Sequence, residues 1–218
     1  MDSPQDTIGA DYQSTWDRFV MDLQRLQEHL AGAVAAGDTP SLHGVLQQLH
    51  WIPYKRVRPL LKQRLIDTPS TNVGCITGFF FEVFTSTLVA ARIKMALPET
   101  RIECNQTTDP TTLDIARDPD IFVARGPNKC VFEIKVSPKK RDLQRILKLK
   151  DNYDKHGIGY FLIGGYVALE PTALREWAQR DWACFLGSSA RNQSVLAQLP
   201  TLDTILDTAV QFLSHAAA

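Results

Sequence analysis

This sequence predicts a mixed α/β domain with the element order helix, three strands, helix, strand, preceded by a helical extension. Three stretches carry that prediction. Residues 73–95 form an apolar run long enough for a buried helix. Residues 120–136 hold two β-prone segments around turn residues. Residues 137–153 have helical periodicity and lead to the apolar strand Tyr160-Phe161-Leu162-Ile163. A chain of 218 residues can bury a sizeable core around these elements.

In order along the chain, residues 11–36 place Trp16, Phe19, Val20, Leu23, Leu26 and Leu30 at helical spacing. A shorter helix is expected over 40–49, and residues 51–66 continue the helical region after Pro53. Asp67, Thr68, Pro69, Ser70, Thr71 and Asn72 have linker chemistry. The expected division is therefore a helical region over 1–67 and a core over 68–218. Glu82 is the charged exception in the apolar helix 73–95, where Gly78, Thr85, Ser86 and Arg92 share its helical spacing. Two readings stand: a thin polar face touching water, or a half-buried carboxylate that needs a partner or a metal because burial without one costs several kcal/mol. Residues 101–105 are the first expected strand.

Asp120 to Arg125 is the second strand, Gly126, Pro127 and Asn128 the turn, and Cys130 to Val136 the third strand. Side chains alternate along a strand, so Glu133 and Lys135 share a face. A loop of even length, either 127–128 or 125–128, sets Asp120 opposite Lys135 or opposite Glu133, and the three polar groups then converge. The same register turns Ile121, Val123, Cys130, Phe132 and Ile134 towards a core. Two converging carboxylates repel unless a cation sits between them, and hard oxygen ligands suit magnesium or manganese. An ammonium two residues along the same face would lie beside an attacking water or a phosphate oxygen, a layout suited to phosphodiester hydrolysis.

Ser137 and Pro138 offer a helix start, with an N-cap followed by proline. The helix after them carries Leu143, Ile146, Leu147 and Tyr153 on one side and Arg141, Arg145 and Lys148 on another. Lys139 and Lys140 in its first turn oppose the helix dipole, which hints at another use for them. The strand 160–163 is expected to end at Gly164 and Gly165. A helix over 171–181 with Leu174 and Trp177, a short strand over 183–186 and an amphipathic helix over 201–213 complete the chain.

The formal net charge is zero, but the charge is segregated. Residues 135–155 hold eight basic side chains against three acidic ones. Lys55, Arg56, Arg58, Lys62 and Arg64 form a second basic cluster, whereas residues 1–30 carry six acidic and two basic side chains. Cys75, Cys104, Cys130 and Cys184 lack paired spacing, and the five histidines show no ligand pattern with them, so zinc and disulfides are not expected. Residues 1–6 lack the basic and apolar regions of a signal peptide, and no stretch has the length of a membrane span, so a cytoplasmic protein is expected. Asn105-Gln106-Thr107 and Asn192-Gln193-Ser194 are then chance glycosylation triplets. Gly157-Ile158-Gly159 lacks the third glycine of a dinucleotide fingerprint, Leu162 standing there, so no nucleotide cofactor is expected.

Pro119-Asp120 followed after twelve residues by Glu133-Ile134-Lys135 resembles the signature of the PD-(D/E)XK nuclease superfamily, to which many type II restriction endonucleases belong. The resemblance spans residues 73–164 and implies a restriction-endonuclease-like αβββαβ core with an N-terminal helical extension. It implies that Asp120 and Glu133, with the carbonyl of Ile134, hold magnesium, for which manganese can substitute, and that Lys135 serves the attacking water. Many members carry an acidic residue on the preceding helix, a role that falls to Glu82. The expected activity is magnesium-dependent cleavage of double-stranded DNA at a specific site by a homodimer, with Lys139, Lys140, Arg141, Arg145 and Lys148 contacting the backbone. Within the same superfamily, a structure-specific or repair nuclease is the alternative, and a non-catalytic nucleic-acid-binding module is another. The acidic helix 11–36 is either a dimer interface or a helix packed on its own subunit.

Overall fold

A computed structural model of the chain describes Met21, Glu28, residues 71–104 and residues 119–215. The expected helices over 11–36, 40–49 and 51–66 lie outside the described residues, except that Met21 and Glu28 are helical and exposed. The expected boundary at 67/68 lies outside them as well. The chain forms two compact units, Met1–Phe84 and Thr85–Ala218, which divide within the first described helix, α1 (Thr71–Ala96). In the second unit α1 buries Leu88, Val89 and Ile93. It stops where Pro98 can no longer donate a backbone hydrogen bond, and the Thr100 hydroxyl donates to the Leu97 carbonyl at 2.8 Å.

A five-stranded mixed sheet follows, with spatial order equal to chain order: β1 (Arg101–Cys104), β2 (Ile121–Arg125), β3 (Asn128–Lys135), β4 (Ile158–Val167) and β5 (Ala183–Ser188). β1, β2 and β3 are antiparallel neighbours, whereas β3, β4 and β5 run parallel. Parallel neighbours need long crossovers, supplied here by α2 (Lys140–Lys155) and α3 (Pro171–Ala178). The order α1, β1, β2, β3, α2, β4 is the one expected from the sequence.

The turn between β2 and β3 lies at neither of the positions considered above, although it gives the register of the 125–128 loop. Arg125 pairs with Asn128, leaving the two-residue loop Gly126-Pro127. Gly126 adopts φ 58°, and proline holds a negative φ, the sign pattern of a type II′ hairpin turn with glycine in its first central position. Asn128 is a strand residue whose side-chain amide donates to the Leu213 carbonyl at 3.2 Å.

Ile121, Val123, Cys130, Phe132 and Ile134 are buried, as their alternation requires. The opposite face is a core too. Val131, Tyr160, Leu162 and Phe185 pack there with Leu143, Ile146 and Tyr153 of α2 and Leu174 and Trp177 of α3. A strand with parallel crossovers is covered on both faces, which is why the single-faced hairpin pattern understates how far β3 is buried. The α5 helix (Leu202–Ser214) lies over the first face: a Cβ at Gly159 would stand 3.0 Å from Cys130 Cβ and 3.2 Å from the Phe212 ring. An Arg92–Asp207 ion pair of 3.1 Å ties α1 to α5.

β4 does not end at Gly164 and Gly165 but runs through them. A side chain at Gly164 would overlap the Phe185 ring on the adjacent strand, so the glycine marks a close approach instead of a chain break. The N-cap of α2 is Lys139, not Ser137, because Asp142 at the third helical position accepts the Lys139 backbone N–H at 3.0 Å. The Tyr166 N–H donates to the Val136 carbonyl at 2.8 Å, which holds the chain extended just past β3. The α3 helix is shorter than expected and ends at Ala178, where Arg180 stacks 5.0 Å from the Trp177 ring centroid. After β5, a 3₁₀ turn (Ala190–Asn192) and the short α4 (Gln193–Leu196) were not legible in the sequence. Buried Asn192 anchors them, donating to the Leu169 carbonyl at 2.7 Å. Burial pushes the Cys130 and Cys184 thiols far above their usual range, so both are neutral core groups.

Candidate functional site

The site is built at the carboxyl end of β3. A two-residue hairpin loop makes Arg125 and Asn128 a hydrogen-bonded pair, so the backbone groups of Cys130, Phe132 and Ile134 are directed towards β2. β2 begins at Ile121, opposite Phe132, and its ladder therefore stops one pair short of Ile134. Asp120 Oδ2 takes the place of a strand carbonyl there and accepts the Ile134 N–H at 2.5 Å. The orphan donor at the strand end is satisfied and the carboxylate is fixed by the same bond. Buried Pro119, with its locked φ, sets the entry of the chain into this position.

Of the two registers open to the sequence, the loop at Gly126-Pro127 selects the one in which Asp120 lies across from Glu133, one step beyond the Ile121–Phe132 pair. Lys135 follows on the same face. Its ammonium lies 2.7 Å from Glu133 Oε1 and 3.6 Å from Asp120 Oδ2. The Asp120 and Glu133 side chains are 15% and 10% exposed, and that of Lys135 is 30% exposed, which puts the acids under cover and the amine at the opening. β4 contributes no side chain beside Lys135, because its partner there is Gly164. The sequence signal for that feature was the glycine pair, which reads equally well as a strand end.

The three charges sum to minus one, with an ammonium already between the acids. Among the described residues, no three His, Cys, Asp or Glu side chains gather to hold a metal. Magnesium keeps several waters and takes one or two carboxylates together with substrate phosphates. Each carboxylate offers about four acceptor lone pairs, so the observed hydrogen bonds are compatible with ligation. Ile134 directs its carbonyl to the same strand edge as its N–H, towards Asp120. The donor set of Asp120, Glu133 and the Ile134 carbonyl fits a hard divalent ion.

Four residues, 136–139, separate β3 from the α2 helix. Leu143, Ile146 and Tyr153 face the core, and Leu147 is half-buried. Lys139, Lys140, Arg141, Arg145 and Lys148 are all exposed. Arg141, Arg145 and Lys148 stand at i, i+4 and i+7, one stripe of the helix. Lys150 is otherwise engaged, paired with Asp154 and 5.6 Å from the Trp182 ring centroid. Glu82 is half-buried on α1, in the first of the two compact units.

No family model and no curated protein matches the chain. Among solved structures it is similar to a chain titled "Restriction endonuclease PspGI-substrate DNA complex", with a TM-score of 0.51 and 12% sequence identity over 93% of this chain and 92% of that one. In strand order, crossovers and overall likeness, this chain has a restriction-endonuclease-like α/β fold.

Proposed function

We propose that this protein is a magnesium-dependent endodeoxyribonuclease of the PD-(D/E)XK kind, acting as a type II restriction enzyme on double-stranded DNA. The observation that carries the reading is the convergence of Asp120, Glu133 and Lys135 at the end of the central strand, with the amine 2.7 Å from one acid and 3.6 Å from the other. Asp120, Glu133 and the Ile134 carbonyl would hold the ion. When bound, magnesium supplies charge neutralisation at the scissile phosphate and acidifies a water. Lys135 orients the attacking water and donates hydrogen bonds to the phosphate oxygens as charge develops on them. Water adds to phosphorus and the bond to the leaving oxygen breaks, giving a phosphate end and a hydroxyl end. The exposed stripe of α2 with Lys139 and Lys140 supplies the phosphate contacts that hold the duplex.

The chain has one such signature, so cutting both strands calls for two copies about a two-fold axis that matches a palindromic target. The acidic segment 11–36 is the proposed interface, since its charge would repel phosphate. Incubation of the purified protein with unmethylated phage DNA and magnesium is expected to give discrete fragments with one repeated end sequence, and light scattering is expected to show a dimer. A preference for branched over linear DNA, or nicked plasmid from a monomer, would move the reading to a repair nuclease. Tight binding without cleavage in either magnesium or manganese would overturn the enzymatic reading.

Glu82 is proposed, on the family resemblance, to serve the same ion. Its replacement, Glu82→Gln, is then expected to slow cleavage and to raise the magnesium concentration needed for half-maximal rate, because a neutral amide loses the charge that favours the ion. An unchanged magnesium titration would return Glu82 to a water-facing polar stripe.

A further inference from the structure

We propose that Lys135 is a resident counter-ion of the Asp120–Glu133 pair which a divalent ion must displace, so that metal and DNA binding are coupled through this one ammonium. The inference rests on the metal-site reading above and deepens it. Lys135 Nζ stands 2.7 Å from Glu133 Oε1 and 3.6 Å from Asp120 Oδ2, between the two groups that a bridging ion would use. A divalent ion held by both acids would repel the ammonium at this close range.

The acids cannot easily do without a cation. Their side chains are 15% and 10% exposed, and two carboxylates brought together under cover repel each other. The ammonium removes that conflict in the metal-free protein. The lysine is also the most exposed of the three, at 30%, and its long flexible stem lets the charge leave while the strand stays in place. The residue directly opposite it on β4 is Gly164. A DNA phosphate at the opening gives the displaced ammonium a new anion. Metal entry is thus opposed without DNA and favoured with it, and linkage requires the reverse coupling as well.

Manganese binding to the folded proteins, followed by calorimetry without DNA, tests this independently of cleavage. Lys135→Met, which keeps the length but not the charge, is expected to bind manganese at least about tenfold more tightly than the wild type, a change of about 1.4 kcal/mol. Lys135→Arg, which keeps the charge, is expected to bind as weakly as the wild type. Added duplex DNA should tighten manganese binding to the wild type more than to Lys135→Met. Equal or weaker manganese binding by Lys135→Met, or equally tight binding by Lys135→Arg, would overturn the inference and leave the metal-site reading intact. Absence of manganese binding in both wild type and Lys135→Met would overturn both.

Should Lys135→Met fail to fold, nitrogen-15 lysine side-chain spectra of the wild type decide the matter. The Lys135 Nζ signal is expected to move on saturation with magnesium, and an unmoved signal in the loaded protein would overturn the displacement.

Discussion

Asp120→Ala and Glu133→Ala are each expected to lower the cleavage rate by on the order of 10³-fold or more, since each removes a carboxylate that would hold the ion. Lys135→Ala is expected to do the same by removing the cation beside the attacking water. Asp120→Ala has a second consequence, because the Ile134 N–H loses the acceptor now 2.5 Å away and becomes an unsatisfied strand-end donor. Such a loss costs about 1–3 kcal/mol where water cannot replace it. Asp120→Asn separates the two effects: the amide oxygen can still accept from Ile134, so stability should return while cleavage does not. DNA binding, measured in calcium to prevent turnover, should survive in all four variants because the exposed basic stripe is untouched. Turnover close to wild type in Asp120→Ala or Glu133→Ala would remove the site assignment.

The convergence of these residues was legible because strand alternation has a period of two, and any even loop brings Asp120 onto the face of Glu133 and Lys135. The choice of partner was not legible, since it depended on whether Gly126 or Asn128 stood inside the turn. A glycine at positive φ followed by proline settles it, and Asn128 is drawn out of the turn by a tertiary bond to the Leu213 carbonyl that no local pattern contains. The same kind of cause hid the length of β4. Locally, Gly164 and Gly165 weaken a strand, but the Phe185 ring requires the missing side chain at Gly164. Likewise Ser137-Pro138 has the composition of a helix start, whereas the bond from the Lys139 N–H to the Asp142 carboxylate sets the actual one. The amphipathic pattern of α2 was legible without help, because its apolar stripe and its basic stripe answer to one neighbour each, the sheet and the solvent.

That basic stripe carries the second large effect. Neutralising Arg141, Arg145 and Lys148 together as glutamines is expected to weaken binding to every duplex sequence alike. The three residues span seven positions of α2, roughly 10 Å along the helix, which matches about three phosphate steps of 3.4 Å along a duplex. Each lost phosphate contact removes roughly 0.9 from the slope of log affinity against log salt. Three lost contacts flatten the slope by roughly 2.7 and, extrapolated from 1 M to about 0.1 M salt, lower affinity by about 10²–10³-fold. Specificity between sequences should stay the same, because phosphate contacts position the protein without reading bases. Lys150→Gln is the internal comparison: this lysine is already held by Asp154 and lies against Trp182, so its loss should leave the salt slope where it was. A triple variant with the wild-type slope would show that the stripe is only solvated, and would place the DNA on another face of the fold.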